Sequence, residues 1–301
     1  MASSPSLRRS GREAALALLL VAPALVLFLL FVVIPVIQAG YYSFFNWNGI
    51  GPATNFLGFG NFRRMFSDRV FHTALRNTLL VIGVSIVIQL PLAFFLALLV
   101  GRKRTPGESV FRSVYFFPYV LAEIVTGIIW RFIYHPRFGV PTVLASAFSG
   151  VQTQVGILGD PDIAFFGVLG VIVWKYLGFH MILYIAGLQG VSKDLEDAAV
   201  VDGANNVQIV RHVIIPSIRN TIIISFFLSV IGSFNVFDVV WALGQGGPVH
   251  STETLVTYLY NFGFRRFAFG YGSAVAVVIF GLCFIFNFFY QRYVVRSQAN
   301  G

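Results

Sequence analysis

Apolar residues gather into six long blocks separated by short polar segments rich in Gly, Pro and charge, and this alternation dominates the chain. The blocks cover approximately residues 14–42, 75–100, 111–134, 163–188, 216–243 and 271–293. A helix needs about 20 apolar residues to cross the ~30 Å hydrocarbon core of a bilayer, so each block is long enough to span once. The pattern predicts an all-α membrane protein with six transmembrane helices. Pro23, Pro35, Pro91 and Pro118 fall within or near the blocks. Bundle neighbours can satisfy the carbonyls such residues free, so they permit kinks without breaking the assignment. The first block follows Arg8 and Arg9, as a secretory signal would. It runs over two dozen residues and lacks a convincing small-residue cleavage site, so it reads as a retained span.

Composition agrees with a lipid setting. With 57% hydrophobic residues, 11% charged residues and a mean hydropathy of +0.79, the chain could not keep a soluble surface wet. The net charge of +9 is scattered over the ends of the apolar blocks and not clustered on one face, which argues against nucleic acid as a partner. The single cysteine, Cys283, lies inside the last block, so there is neither a disulfide framework nor a Cys-His metal spacing. With both termini inside, twelve of the 21 Lys and Arg residues fall on the cytoplasmic side, eight fall outside and Lys175 lies within a span. That bias places both termini of a multi-pass membrane protein in the cytoplasm. The expected organisation is a cytoplasmic tail over residues 1–13, one transmembrane domain over 14–293 and a second cytoplasmic tail over 294–301.

The polar segment between the fourth and fifth blocks, residues 189–217, has its own local code. Ser192 can cap a helix beginning near Lys193, and Asp194, Glu196 and Asp197 put negative charge in its first turns, where the helix dipole favours it. Gly203 suits a turn at positive φ, Asn205 and Gln208 have capping-box spacing, and Pro216 marks the start of the next span. Two short helices meeting at a bend are expected. Leu195, Ala198 and Ala199 give the first a narrow apolar face that a groove on another protein could accept. An amphipathic helix lying on lipid would carry a wider apolar face and more basic residues.

Asp197-Ala198-Ala199, then Gly203, then, after nine intervening residues, Val213-Ile214-Ile215-Pro216, resembles the Glu-Ala-Ala loop of binding-protein-dependent ABC importer permeases. Asp197 stands in place of the usual Glu, and Val213 and Ile215 depart from an Ile-x-Leu-Pro ending. Glu196 lies one residue earlier, so the acidic contact belongs to either carboxylate. Gly58-Phe59-Gly60-Asn61-Phe62, Asn77-Thr78, Phe117-Pro118-Tyr119, Ala186-Gly187-Leu188-Gln189, Gly246-Gly247-Pro248 and Thr252-Glu253-Thr254 extend the likeness over nearly the whole chain. Together they resemble ABC-type sugar permeases. That resemblance implies the type I importer permease fold, a second permease subunit in a heterodimer, two cytoplasmic ATPase subunits and an extracytoplasmic sugar-binding protein. It also implies that Glu196, Asp197, Ala198, Ala199, Asp202, Gly203 and Pro216 couple the chain to an ATPase. No Gly-x-x-x-x-Gly-Lys-Ser/Thr phosphate cradle occurs, so the chain is not expected to be an enzyme or to hold a cofactor. ATP and magnesium would sit on the partner ATPases.

Candidate pathway residues come from the cost of polar groups at membrane depth. Glu123 and Lys175 lie about a dozen residues into their blocks; they read either as a buried ion pair or as polar lining. Asp238 is nearer the outer end of its block, where it either snorkels or faces solute. A sugar needs aromatic faces together with hydroxyl and amide partners, and Tyr176, Phe179, Ser229, Ser233, Asn235 and Asp238 supply that mixture. The resemblance puts sugar contacts near Tyr176, Phe179, Ser229 and Ser233. Residues 244–270 read as the outer mouth of the pathway or as a plain hairpin. A secondary transporter, the main competing class, would show repeated broken helices or a chain of carboxylates.

Overall fold

The computed structural model describes residues 11–101 and 107–295. The sequence assignments for Arg8, Arg9, Arg102, Lys103, Arg104 and Arg296 lie outside the described residues, as do most of both terminal tails. Among the described residues there is no β-strand, only an isolated bridge between Phe45 and Phe56.

Four helices are long and apolar enough to cross a membrane unbroken: α1 (Leu18–Tyr42), α3 (Arg69–Gly101), α7 (Ala164–Gln189) and α13 (Phe269–Arg292). Between α1 and α3 lies the short helix α2 (Gly60–Ser67). Asp68 caps α3 by accepting from the Val70 amide at 2.8 Å. The second span therefore begins six residues before the hydropathy block that predicted it.

The third and fifth spans are each interrupted, more sharply than a proline kink. Ser109–Val120, the core of α4 (Glu108–Val120), meets α5 (Glu123–Ile133) at a bend of 100°. The fifth span is α10 (Arg219–Phe234), and α11 (Asp238–Gly244) follows as a separate helix after an interruption at residues 235–237. Block 216–243 thus holds two helices, and the membrane-crossing segment starts at Arg219, after Pro216. At 16 residues, α10 rises only about 24 Å, short of the hydrocarbon thickness unless its neighbours complete the crossing. The expectation that broken helices would mark a secondary transporter therefore does not discriminate here.

Three apolar clusters stack along the bundle. At one end, Phe71, Ala74, Leu255, Tyr258 and Tyr271 bury one another. In the middle, Val81, Phe165, Ile172, Val236, Val239 and Leu243 do so. At the other end, Ala93, Ala97, Ile185, Leu188, Ile209, Ile214 and Ile218 tie the loop after α7 to the ends of α3 and α7. A glycine permits one close crossing: a Cβ on Gly127 of α5 would stand 2.3 Å from the Ala242 Cβ of α11. Helix α1 carries its apolar stretch with none of it buried within the chain, a surface suited to lipid or to another helix.

Candidate functional site

A cavity of about 240 Å³ opens in the middle of the bundle. Tyr176 and Phe179 of α7 and Ser229 and Ser233 of α10 line it, so four of the sequence-predicted pathway residues come together. The Ser229 Oγ is buried and has no hydrogen-bond partner among the described residues, a donor and acceptor that a solute hydroxyl could satisfy. Ser233 is already committed, donating to the Ser229 carbonyl at 2.7 Å. Gly232 and Val236 complete that wall with less polar surface.

Glu123 and Lys175 do not bond each other. The Lys175 Nζ donates to the Leu121 carbonyl at 2.7 Å and lies 3.5 Å from the Pro118 carbonyl, while Glu123 accepts from the Tyr176 hydroxyl. Lys175 is 1% exposed and turned to the break in the third span, outside the cavity lining. Asn235 is exposed and folds its amide back onto the Ile231 carbonyl at 2.9 Å, and Asp238 is exposed in the first turn of α11. Neither lines the cavity.

Sequence reasoning missed Tyr119, Ser85, Gln89 and His180, which all line it. Tyr119 stacks on Phe179 with ring centroids 4.8 Å apart and meets Tyr176 edge-on at 6.1 Å. His180 is held by Ser225 at 2.8 Å. Ser85 and Gln89 are buried at both ends of a π-helical segment, Ser85–Gln89, that re-aims this stretch of α3. Their signal was present: two polar residues four apart on one helix face, inside an otherwise apolar block.

The loop after α7 has the predicted form. The Ser192 hydroxyl accepts from the Asp194 amide at 3.2 Å and opens α8 (Lys193–Val201). Asn205 and Gln208 complete a capping box at the start of α9 (Asn206–Ser217), through bonds of 2.8 and 3.0 Å. Between them Gly203 has φ +84°, with nothing within 4 Å of where a Cβ would be. Asp197, Ala198, Asp202 and Pro216 are exposed, whereas Glu196 and Ala199 are half-buried. Leu195, Val200, Val201 and Val207 are also exposed, so among the described residues the elbow presents uncovered apolar surface. A bend of 73° joins α9 to α10.

At the opposite end, residues 244–270 are more than a plain hairpin. The short helix α12 (Leu255–Leu259) is opened by a capping box of Thr254 and Thr257. Asn77 of α3 donates to the carbonyls of Ser251 and Glu253 at 2.7 and 2.9 Å, and the Thr78 hydroxyl accepts from the Leu255 amide. Glu253, fully buried, accepts from Thr257 at 2.6 Å and Asn261 at 2.7 Å, and its carboxylate meets the His250 Nδ1 at 3.0 Å. Burial, then hydrogen bonding to Tyr271 and Asp68, pushes the Tyr258 hydroxyl above the ordinary phenol range, so it remains protonated. Among the described residues, no group of three or more His, Cys, Asp or Glu is placed to hold a metal ion.

Known proteins share this architecture. A chain of a bacterial ABC transporter involved in the import of the acidic polysaccharide alginate superposes with a TM-score of 0.79 at 23% identity, over 94% of this chain and 97% of that one, which shows the fold. A probable ABC transporter permease protein of Pyrococcus horikoshii is 33% identical over 87% of this chain and 89% of its own length. The diacetylchitobiose uptake system permease protein of Streptomyces coelicolor is 34% identical over 87% of this chain and 77% of its own. The profile of binding-protein-dependent transport system inner membrane components matches residues 93–298. The elbow after α7, the broken spans around a central cavity and these matches agree: the chain belongs to the family of binding-protein-dependent transport system inner membrane components.

Proposed function

We propose that this chain is the permease subunit of an ATP-driven importer for a di- or oligosaccharide and forms half of its translocation pathway. The central cavity carries the reading. It offers aromatic faces from Tyr119, Tyr176 and Phe179 beside hydroxyl and amide groups from Ser229, Ser85 and Gln89, the mixture that ring C–H edges and sugar hydroxyls require. Among the described residues no arginine lines it, and Lys175 nearby is engaged by backbone carbonyls, which favours a neutral solute over a phosphate ester. At about 240 Å³ it is smaller than the ~300–1,000 Å³ of ordinary ligand pockets, which fits a surface completed by a second permease in a heterodimer.

The elbow of α8 and α9 is assigned to a cleft on one of two cytoplasmic ATPase subunits, with Glu196, Asp197, Ala198, Ala199, Asp202 and Gly203 at or near the contact and Pro216 near the hinge into α10. Nucleotide-driven closure of the ATPases would move the elbow as a unit and tilt α7 and α10, the spans that carry the cavity, coupling two sites through one two-state element. ATP and magnesium belong to those partners. A solute-binding protein would deliver sugar to the opposite face, so both termini and the elbow are cytoplasmic.

Reconstitution of the chain with a second permease, ATPases and binding protein in liposomes tests the proposal. Uptake of a neutral disaccharide should require ATP, and Gly203→Val should release the ATPases from the complex. Uptake by this chain alone, driven by an ion gradient, would refute it in favour of secondary transport.

A further inference from the structure

The break in the third span poses a problem of unpaired backbone. The last carbonyls of a helix have no intrahelical donor, and at membrane depth no bulk water replaces one. Lys175 of α7 fills that role for α4, with its Nζ on the Leu121 carbonyl at 2.7 Å and 3.5 Å from that of Pro118. A cation is also the charge that a helix C-terminus favours. Across the break, α5 opens with Glu123 in its first turn, the sign favoured at an N-terminus, and Glu123 accepts from the Tyr176 hydroxyl. Adjacent residues of one helix therefore grip both sides of one interruption. Nearby, α4 and α7 touch through their backbones: a Cβ on Gly178 would lie 1.9 Å from the Tyr115 carbonyl oxygen. The α7 face that holds the break has little freedom to slide.

Tyr119 lies between the two carbonyls that Lys175 engages, and its ring stacks on Phe179 in the cavity wall. Any rotation of the break would turn that ring away. We propose that Lys175 is a positioning residue for solute recognition: by holding the Pro118 and Leu121 carbonyls it fixes Tyr119 against Phe179, and so sets the affinity of the cavity without touching solute. This inference rests on the pathway reading of the cavity.

The complete reconstituted transporter provides two readouts, with diacetylchitobiose and lactose as probe sugars. Lys175→Met should speed amide hydrogen exchange in the segment 117–123 about tenfold, the loss expected for one charge-assisted bond, while exchange in α3 and α13 stays unchanged. The same variant should raise the KM for uptake about tenfold with little change in the maximal rate, and Lys175→Arg, which keeps the cationic donor, should restore both. Should Lys175→Met fail to accumulate, Lys175→Gln carries the same expectations at reduced size. Unchanged exchange at 117–123 overturns the clasp even where wild-type uptake is intact. Faster exchange with an unaltered KM overturns the recognition role. A wild-type complex that moves neither sugar overturns the recognition role together with the pathway reading, and the exchange result then still decides the clasp.

Discussion

Replacing Glu253 by Ala should destabilise the end of the bundle opposite the elbow more than any single change in the cavity. The carboxylate is fully buried and accepts two short bonds, from Thr257 at 2.6 Å and Asn261 at 2.7 Å. Bonds to a charged acceptor contribute about 1.5–3 kcal/mol each, so roughly 3–6 kcal/mol of interaction is lost. Two effects reduce the net cost. Removing the carboxylate also removes its desolvation penalty, and the donors keep other acceptors, Thr257 the Thr254 carbonyl at 3.1 Å and Asn261 the Gln245 carbonyl at 3.2 Å. The His250 contact adds little, because that side chain is 43% exposed and solvent screens it. About 2–4 kcal/mol remains, a fall in melting temperature of roughly 3–6 °C by the per-residue entropy scaling for a chain of this size. Glu253→Gln keeps the acceptor oxygen and the shape and should cost about 1 kcal/mol. Thermal unfolding of the purified chain in detergent, followed by tryptophan fluorescence, ranks the two variants. A Glu253→Ala melt indistinguishable from wild type, or a Glu253→Gln melt just as damaged, would refute the reasoning.

Gly246→Ala should act through the same group, because the new Cβ would lie 2.5 Å from the Glu253 carboxylate and the site has φ +90°; a melt at least as low as that of Glu253→Ala is expected in the same assay. Gly127→Leu should separate α5 from α11 and cost about 1–3 kcal/mol by overpacking, read as a lower melting temperature with the fold of the α8–α9 elbow intact by limited proteolysis. Gly203→Val meets open space, so its cost is the ~1–2 kcal/mol of forcing a branched residue to positive φ; the complex should lose its ATPases in a pull-down while the melt of the spans hardly moves. Gln89→Leu leaves the bundle packed and takes an amide from the cavity wall, so uptake KM should rise roughly fivefold to tenfold with the maximal rate retained.

Local chemistry was legible and tertiary chemistry was not. The elbow could be written from Ser192, Gly203, Asn205 and Gln208 because capping and positive φ are decided within a few residues. Spans α1, α3, α7 and α13 followed from uninterrupted apolar runs. The third and fifth blocks misled because hydropathy measures composition, and composition continues smoothly through Leu121, Ala122 and the 235–237 interruption while the backbone turns. What permits the first turn is Lys175, which lies 54 residues from the Leu121 carbonyl it satisfies. The platform on Glu253, at the end opposite the elbow, was hidden for the same reason: Asn77 and the Glu253 carbonyl it holds are 176 residues apart. Pairing Glu123 with Lys175 was a fair guess from depth alone, but each had a better partner in the broken backbone and in Tyr176.

Both interruptions lie beside one cavity, and that coincidence has a physical cause. Straight spans packed along their length leave no room for a polar solute, whereas a span that turns at depth opens space and must then satisfy the carbonyls it exposes. The turn after α4 does so with Lys175, and the turn after α10 with Asn235, whose amide returns to the Ile231 carbonyl, and with the Thr254 hydroxyl on the Val236 carbonyl at 2.8 Å. The helices beyond the two turns, α5 and α11, meet at Gly127 and Ala242, so neither turn can change its angle without carrying the other. Thr254 in turn belongs to the platform built on Glu253 and Asn77. A displacement of that platform therefore reaches the Val236 wall of the cavity through one hydroxyl, and reaches the Tyr119 wall through the α5–α11 seam and Glu123. The elbow at the opposite end reaches the same walls through α7 and α10. The cavity is thus the place where forces from the two ends of the bundle meet.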